Sequence, residues 1–495
     1  MMMMMMMMMM KMMMKNMMMM TPRGFSSSAT AGRGGQGVVN VLTSNLAPFT
    51  NPSEKDNRAA VVLTRGEGVY VYDTDGKKYL DGLAGLWSNA LGNGNERIIE
   101  AAHAQLKRLA YQHTFWNRTT DIAEEYTSRL VDFGRHRGVV QTFMSCGGSD
   151  ANDTNVKLAW YYWNAIGQPS RKTVIARKQA YHGVTITASS MSGMETIHKG
   201  YGPLPLPWVR HVSTPHYWKY GLPGESEEEY SARLAKELEA VIVREGPDTI
   251  AAFIAEPVMG AGGVIPPPRG YWGSIQSILR KYDILFIADE VVTAFGRLGE
   301  RLGSEFYDIQ PDLYTVAKAM SSSYYPLGAA LITEKVADAI KNQANKFGVF
   351  GHGYTYGGHP VACAIGLECL NIYEEMQIWD HVKRMTPTFQ LTLKQLETHP
   401  LVGEVRGEGF MLAIEFVADK ASKSQIGTKV PPATILANEC MKNGLLVRST
   451  GHVLVIAPSL VYTMENFQEM FTKLKKSLDS FDEIVYKELP ELPRD

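Results

Sequence analysis

The sequence predicts an α/β protein: a large domain on a mostly parallel sheet, with a smaller α+β domain built from both chain ends. Three observations carry this. Short apolar runs with polar flanks, Val174–Ala176, Ile250–Ala255, Ile284–Ala288 and Leu313–Ala317, suit strands buried on both faces of a parallel sheet. Amphipathic stretches such as Glu228–Glu245 and Tyr271–Tyr282 fall between them, where βαβ crossovers belong. After about Gly366 the pattern turns to long helices, a hairpin-like region at Val402–Phe416, a last alternation at Leu445–Val447 and Val453–Ile456, and a terminal helix.

In chain order, the first twenty residues hold 17 of the 28 methionines, and no Asp or Glu occurs before Glu54, whereas Lys11, Lys15, Arg23 and Arg33 are basic. Such a basic, Ser-containing, acid-free leader resembles an organellar transit peptide, so mitochondrial residence is expected, with the cytoplasm as the alternative. The Gly32–Gly37 stretch formally reads GxGxxG, but no strand precedes it, and it reads as a linker. From Gly68, VYVYD–TDGKK–YLD alternates in period two around an Asp75-Gly76 turn, a hairpin pattern. Glu96–Leu109 carries apolar residues at Ile98, Ala102 and Leu106, as a helix face requires. The expected division is a leader over residues 1–37, the N-terminal part of the small domain over 38–95, the large domain over 96–362, and the C-terminal part of the small domain over 363–495.

Composition excludes several classes. With 45% hydrophobic and 20% charged residues the chain is neither disordered, collagen-like nor a coiled coil. A net charge of −1 over 495 residues speaks against nucleic acid or an anionic membrane as partner. Four cysteines, Cys146, Cys363, Cys369 and Cys440, form no CxxC pair, so neither a disulfide framework nor a metal site is expected.

Ligands of open α/β sheets bind beyond the carboxyl ends of the strands. There the Ile250 run ends in Glu256-Pro257, the Ile284 run in Asp289-Glu290, and the Leu313 run leads straight into Lys318. Buried charges need partners, so this cluster is expected to pair internally or with a charged ligand. The segment SCGGSDANDTNVKLAWYYW places Gly147 and Gly148 before Ser149, read as a helix N-cap, with Val156, Trp160 and Trp163 on one face. Free amides at such a start favour a phosphate. Tyr181, in Tyr181-His182-Gly183, offers an aromatic face at the same edge, and His182 reads as structural. An amine, a carboxylate on a neighbouring strand, an anion cradle and an aromatic plate are what pyridoxal 5'-phosphate needs. Lys318 would hold the aldehyde and serve as base, and Asp289 would keep the ring nitrogen protonated. GGSDA also imitates a serine-hydrolase nucleophile elbow, but no convincing strand is seen feeding Ser149.

The stretch LFIADEVVTAFGRLGERLGSEFYDIQPDLYTVAKAMSSSYYPLGAAL, Leu285 to Leu331, resembles the signature of class III (omega-amino acid) aminotransferases, and GLAGLWSNALG, FWNRTT, AAFIAEPVMGAGGVIPPP and GHGYTYGGHP fit the same family. The resemblance implies the type I pyridoxal-phosphate-dependent transferase fold and a homodimer with shared sites. Position by position it implies Lys318 as the Schiff-base lysine, Asp289 at the pyridine nitrogen, Gly148 and Ser149 at the phosphate, and Tyr181 on the ring. Glu256 would lie beside the cofactor, Thr355 would reach the partner's phosphate, Trp87 would line the substrate pocket, and Arg448 would bind the keto-acid carboxylate. The implied reaction moves the amino group of 4-aminobutyrate, or a related omega-amino acid, to pyruvate or glyoxylate; a β-alanine or general omega-amine:pyruvate enzyme and a non-catalytic paralogue are the alternatives. Four positions depart from the family pattern: Gly147, Asp150, Ser323 and Gly357 stand where Ser, Glu, Gly and Ser are usual. If position 323 takes a positive φ, Ser there strains the loop carrying Lys318.

Overall fold

The hairpin expected after Gly68 forms around a turn that Asp73 organises: its Oδ1 accepts the N–H groups of Asp75 (3.0 Å) and Lys77 (2.9 Å), and Gly76 takes φ +78°. The computed structural model describes residues 46, 48–50 and 61–494, so the leader and the Gly32–Gly37 linker lie outside the described residues. Strands β1 (Leu63–Glu67), β2 (Tyr70–Asp73) and β3 (Lys78–Asp81) make an antiparallel meander.

Seven strands form the large sheet: β4 (Val139–Ser145), β5 (Thr173–Arg177), β6 (Val209–Val212), β7 (Ile250–Ala255), β8 (Leu285–Asp289), β9 (Leu313–Val316) and β10 (Gly328–Thr333). Their order is β4-β10-β9-β8-β7-β5-β6. The pairs from β9 through β6 are parallel, and β10 alone runs against its neighbours β9 and β4. Every residue of β7 and β8 is buried, as continuous apolar runs between two helical layers must be. Each large aliphatic side chain so buried contributes about 1.5–3 kcal/mol. The crossover helix Glu227–Glu245 starts at a capping box, Ser226 Oγ accepting from Glu229 N–H and Glu229 from Ser226 N–H, and stops at Gly246 with φ +90°.

The smaller lobe joins the chain ends. β11 (Val402–Glu408) and β12 (Met411–Phe416) form the expected hairpin, and β13 (Leu445–Leu446), β14 (Arg448–Thr450) and β15 (Val453–Ile456) follow. β13 adds to the N-terminal meander in parallel with β3, Leu445 opposite Leu80 and Leu446 opposite Asp81, while β14 and β15 extend the hairpin in the order β11-β12-β15-β14. Residues Leu63 to Asp495 are one compact unit. No helix among the described residues is long and apolar enough to cross a membrane.

Candidate active site

Three neighbouring parallel strands deliver the charged groups. β7 hands over to Glu256, β8 ends on Asp289, and β9 leads through Ala317 into Lys318, which begins a turn of 3-10 helix with φ +50°. Asp289 and Glu256 are buried. Burial pushes the Lys318 amine down to about 8, with Arg448 adding to the fall and Asp289 and Glu256 opposing it. Glu290, next to Asp289, turns elsewhere: it accepts the N–H groups of Gly303 (2.8 Å) and Ser304 (2.6 Å). Adjacent acids thus divide between the site and a turn, as alternate strand faces dictate.

Three donors hold Asp289. His182 Nδ1 lies 2.8 Å and Asn152 Nδ2 2.9 Å from its Oδ2, and Val291 N–H donates to Oδ1 at 3.1 Å. Asn152 also donates to the His182 carbonyl (2.8 Å) and accepts from Thr315 Oγ1 (2.5 Å). Glu256 is likewise fixed by backbone, accepting from Tyr181 N–H (3.2 Å) and Gly260 N–H (2.7 Å), and burial pushes its carboxyl up.

The helix Gly148–Ala165 opens beside this group, with Gly147 extended at its start and no side chain capping it. The N-cap is therefore Gly147, not Ser149. Ser149 sits inside the first turn, where its Oγ accepts from Val184 N–H at 3.1 Å. Among the described residues neither the Gly148 nor the Ser149 amide has a protein acceptor. Close packing sets this cradle: a Cβ on Gly148 would lie 2.8 Å from Val291 Cγ2, and one on Gly183, at φ +122°, 2.3 Å from Ser149 Oγ. A strand does precede the segment, since β4 ends at Ser145, which corrects the sequence argument against a nucleophile elbow. That reading fails instead on Ser149 itself, which has no histidine or other base bonded to its Oγ among the described residues.

Beside Lys318 stand Trp87 and Arg448. The Trp87 ring is 2% exposed, and Lys318 Nζ and the Arg448 guanidinium carbon lie 5.1 Å and 5.6 Å from ring centroids of its indole. Arg448 is half-buried, burial lowers its pKa, and it pairs with no carboxylate among the described residues. Tyr181, half-buried, packs with the cluster that contains Trp87 and lies within electrostatic reach of Arg448, Asp289 and Glu256.

The structure thus gathers Lys318, Asp289, Glu256, Tyr181, Trp87 and Arg448 around one space, with Gly148 and Ser149 at the mouth of the helix. Thr355 stands apart and exposed, its carbonyl accepting from Tyr111 OH at 2.6 Å. Asn152, His182 and Val291 are the site residues the sequence reading missed; only the Tyr181-His182-Gly183 motif signalled one of them. These groups fit pyridoxal phosphate: two free amides at a helix N-terminus for an anion, a triply held carboxylate for a cationic ring nitrogen, and a lysine with lowered pKa for an aldehyde. Among the described residues one other cluster, His216, Glu404 and Glu415, has the proximity of a metal site. Arg406 donates to both glutamates (2.8 and 2.6 Å) and Lys219 pairs with Glu415 (3.3 Å), so cations of the chain itself already meet those charges.

Of the departures, Ser323 takes φ +61°, the left-handed conformation in which a side chain is strained. A Cβ at Gly357 would lie 2.7 Å from the Met144 carbonyl oxygen, so the usual Ser does not fit this backbone.

Residues 51–478 match the family model described as aminotransferase class-III. Over 440 residues the chain is 48% identical to gamma-aminobutyrate transaminase 1, mitochondrial, of Oryza sativa subsp. japonica, covering 89% of this chain and 85% of that protein. Gamma aminobutyrate transaminase 3, chloroplastic, of Solanum lycopersicum is 47% identical over 433 residues, 88% of this chain and 83% of its own length. Among solved structures, the omega transaminase from Pseudomonas jessenii in complex with PMP superposes with TM-score 0.87 at 41% identity, covering 89% of this chain and 97% of that one. The PMP-bound aminotransferase from Vibrio fluvialis gives 0.88 at 40% identity, over 92% and 100%.

Proposed function

The chain belongs to the class-III aminotransferase family, and from that premise we propose that it carries the amino group of 4-aminobutyrate, or a related omega-amino acid, to pyruvate or glyoxylate. It is a pyridoxal-phosphate-dependent aminotransferase. In the proposed cycle the products are succinate semialdehyde with alanine or glycine, and both half-reactions use one site.

The chain's residues divide the work. The Gly148 and Ser149 amides would bind the phosphate, and Tyr181 would pack against the ring. Asp289 holds a proton on the ring nitrogen, and His182 and Asn152 fix its carboxylate for that task. Bound there, the cofactor supplies an electron-poor ring that takes up the charge left when a proton departs from the carbon bearing the amine. Lys318, its amine pushed down to about 8 by burial, would take that proton and return it two atoms further on, to the cofactor carbon on the other side of the amine nitrogen. Trp87 and Arg448 face the substrate's remaining length.

The observation that carries the substrate reading is Arg448, a half-buried guanidinium beside Trp87 with no acid of the chain bound to it among the described residues. A desolvated, unpaired cation is costly, and a ligand carboxylate meets it. Dimerisation with Thr355 reaching the partner's phosphate, and mitochondrial residence, belong to the same proposal; the exposure of Thr355 and the mitochondrial names of the rice relatives support them.

A donor and acceptor panel on protein starting at Val38 tests the reading. 4-Aminobutyrate with pyruvate or glyoxylate should give the highest kcat/KM, and Arg448→Ala should lose far more activity with pyruvate than with a donor amine that has no carboxylate. Equal losses, or no turnover of 4-aminobutyrate, would overturn it. The likeness to omega transaminases favours a general omega-amine:pyruvate enzyme as second reading, which the same panel would reveal as indifference to the donor's carboxylate.

A further inference from the structure

We propose that Asp81 is a positioning residue for the substrate pocket: its buried carboxylate pins the backbone segment 84–87 and thereby sets Trp87 against Lys318 and Arg448. This rests on the reading that the Trp87–Arg448 end of the site receives substrate carboxylates.

Asp81 is the last residue of β3 and only 7% exposed. No Lys, Arg or His pairs with it among the described residues. Its oxygens instead accept two backbone amides of the following turn, Leu83 N–H on Oδ1 at 3.0 Å and Gly85 N–H on Oδ2 at 2.6 Å. A buried carboxylate without a cation is unfavourable, and these two backbone N–H bonds offset part of that cost. What it holds is strained: Ala84, Gly85 and Trp87 take φ +49°, +65° and +61°, and two of the three carry side chains.

The indole that ends this segment has no tether of its own. Among the described residues Trp87 Nε1–H is buried without an acceptor, so no hydrogen bond from them fixes the ring. Its benzo edge rests on Gly260, where a Cβ would lie 2.3 Å from Cζ3. Packing in a buried apolar cluster with Val258, Ala261 and Leu298, and the backbone from which it hangs, therefore set the ring, and Asp81 holds that backbone through the Leu83 and Gly85 amides. The same residue meets the other wall of the pocket. Asp81 pairs with Leu446 in the parallel register of β3 and β13, Gly82 N–H donates to the Leu446 carbonyl at 2.9 Å, and Arg448 follows two residues later. Trp87 from one chain end and Arg448 from the other thus diverge from a single junction at Asp81.

Asp81→Ala and Asp81→Asn holoenzymes, alone and in a Trp87→Ala background, test the inference by steady-state kinetics. Asp81→Ala should raise KM for 4-aminobutyrate and for pyruvate about tenfold or more while kcat falls less, because a misplaced wall costs binding before chemistry. Asp81→Asn keeps one acceptor oxygen and should show an intermediate rise, with borohydride-fixed cofactor and Tm close to wild type. In the Trp87→Ala background the added change should fall below about twofold, since the effect passes through Trp87. Unchanged KM values in the soluble Asp81→Asn protein, or equal losses in both backgrounds, would overturn the inference. If wild-type protein turns over other substrates but not 4-aminobutyrate, the substrate reading fails, and the Asp81–Trp87 coupling is then measured with the pair it does use.

Discussion

His182 Nδ1 stands 2.8 Å from Asp289 Oδ2, both side chains buried, and Asn152 approaches the same oxygen at 2.9 Å from the helix that opens at Gly148. The helix whose first turn leaves the Gly148 and Ser149 amides free is thereby hydrogen-bonded, through Asn152, to Asp289. Removing a partner from a charged buried group costs about 1.5–3 kcal/mol, a factor of roughly 10–100. His182→Ala and Asn152→Ala should each lower kcat/KM by about that factor and weaken cofactor retention on dialysis. Either variant retaining full activity would show that Asp289 does not depend on this network.

Lys318 sets a pH dependence. With its pKa pushed down to about 8, the amine is protonated and unreactive below that pH and a free nucleophile above it. Uptake of pyridoxal phosphate by the apo-protein, followed by absorbance, should accelerate with rising pH and level off above about pH 8. A rate still climbing through pH 10, as for an ordinary lysine, would contradict the burial argument.

Gly183 tests the cradle. Its φ of +122°, and the 2.3 Å at which an added Cβ would meet Ser149 Oγ, leave no room for a methyl group. Gly183→Ala should displace Ser149, lower stability by about 1–3 kcal/mol and raise the dissociation constant for pyridoxal phosphate at least about tenfold. Thermal unfolding with and without cofactor, together with a binding titration, measures both.

The two departures near the site predict opposite signs. Ser323, at φ +61°, is strained in a way glycine is not, so Ser323→Gly should raise stability by up to about 1 kcal/mol. Gly357→Ser should lower stability and cofactor affinity, because its Cβ would meet the Met144 carbonyl at 2.7 Å. Chemical denaturation of the two variants beside wild type decides both.

Glu256, Asp289 and Lys318 are legible in the sequence because each charge ends a run of apolar residues, where an unpaired charge has no bland reason to stand. Lys318 also shows how far such reading reaches: its strand is visible, but its left-handed backbone is not. Asn152 and His182 escape because their partner Asp289 lies 137 and 107 residues away, and nothing in the local pattern joins them. Ser149 misleads as a cap because an extended Gly147 caps the helix two residues earlier and leaves the amides free. The strand β10 escapes for another reason. GAALIT is a run too short to separate from helix, and its antiparallel direction is set by β4 and β9 on either side. The strain in segment 84–87 is likewise tertiary, held by Asp81 and by the glycine opposite Trp87.

The most direct test of the central claim is to reduce the holoenzyme with borohydride, digest it, and locate the cofactor by mass spectrometry. The pyridoxyl group should sit on the ε-amine of Lys318, with the visible absorbance bleached, and Lys318→Ala should carry none. An adduct on another lysine, or an active enzyme that carries none at all, would contradict the account.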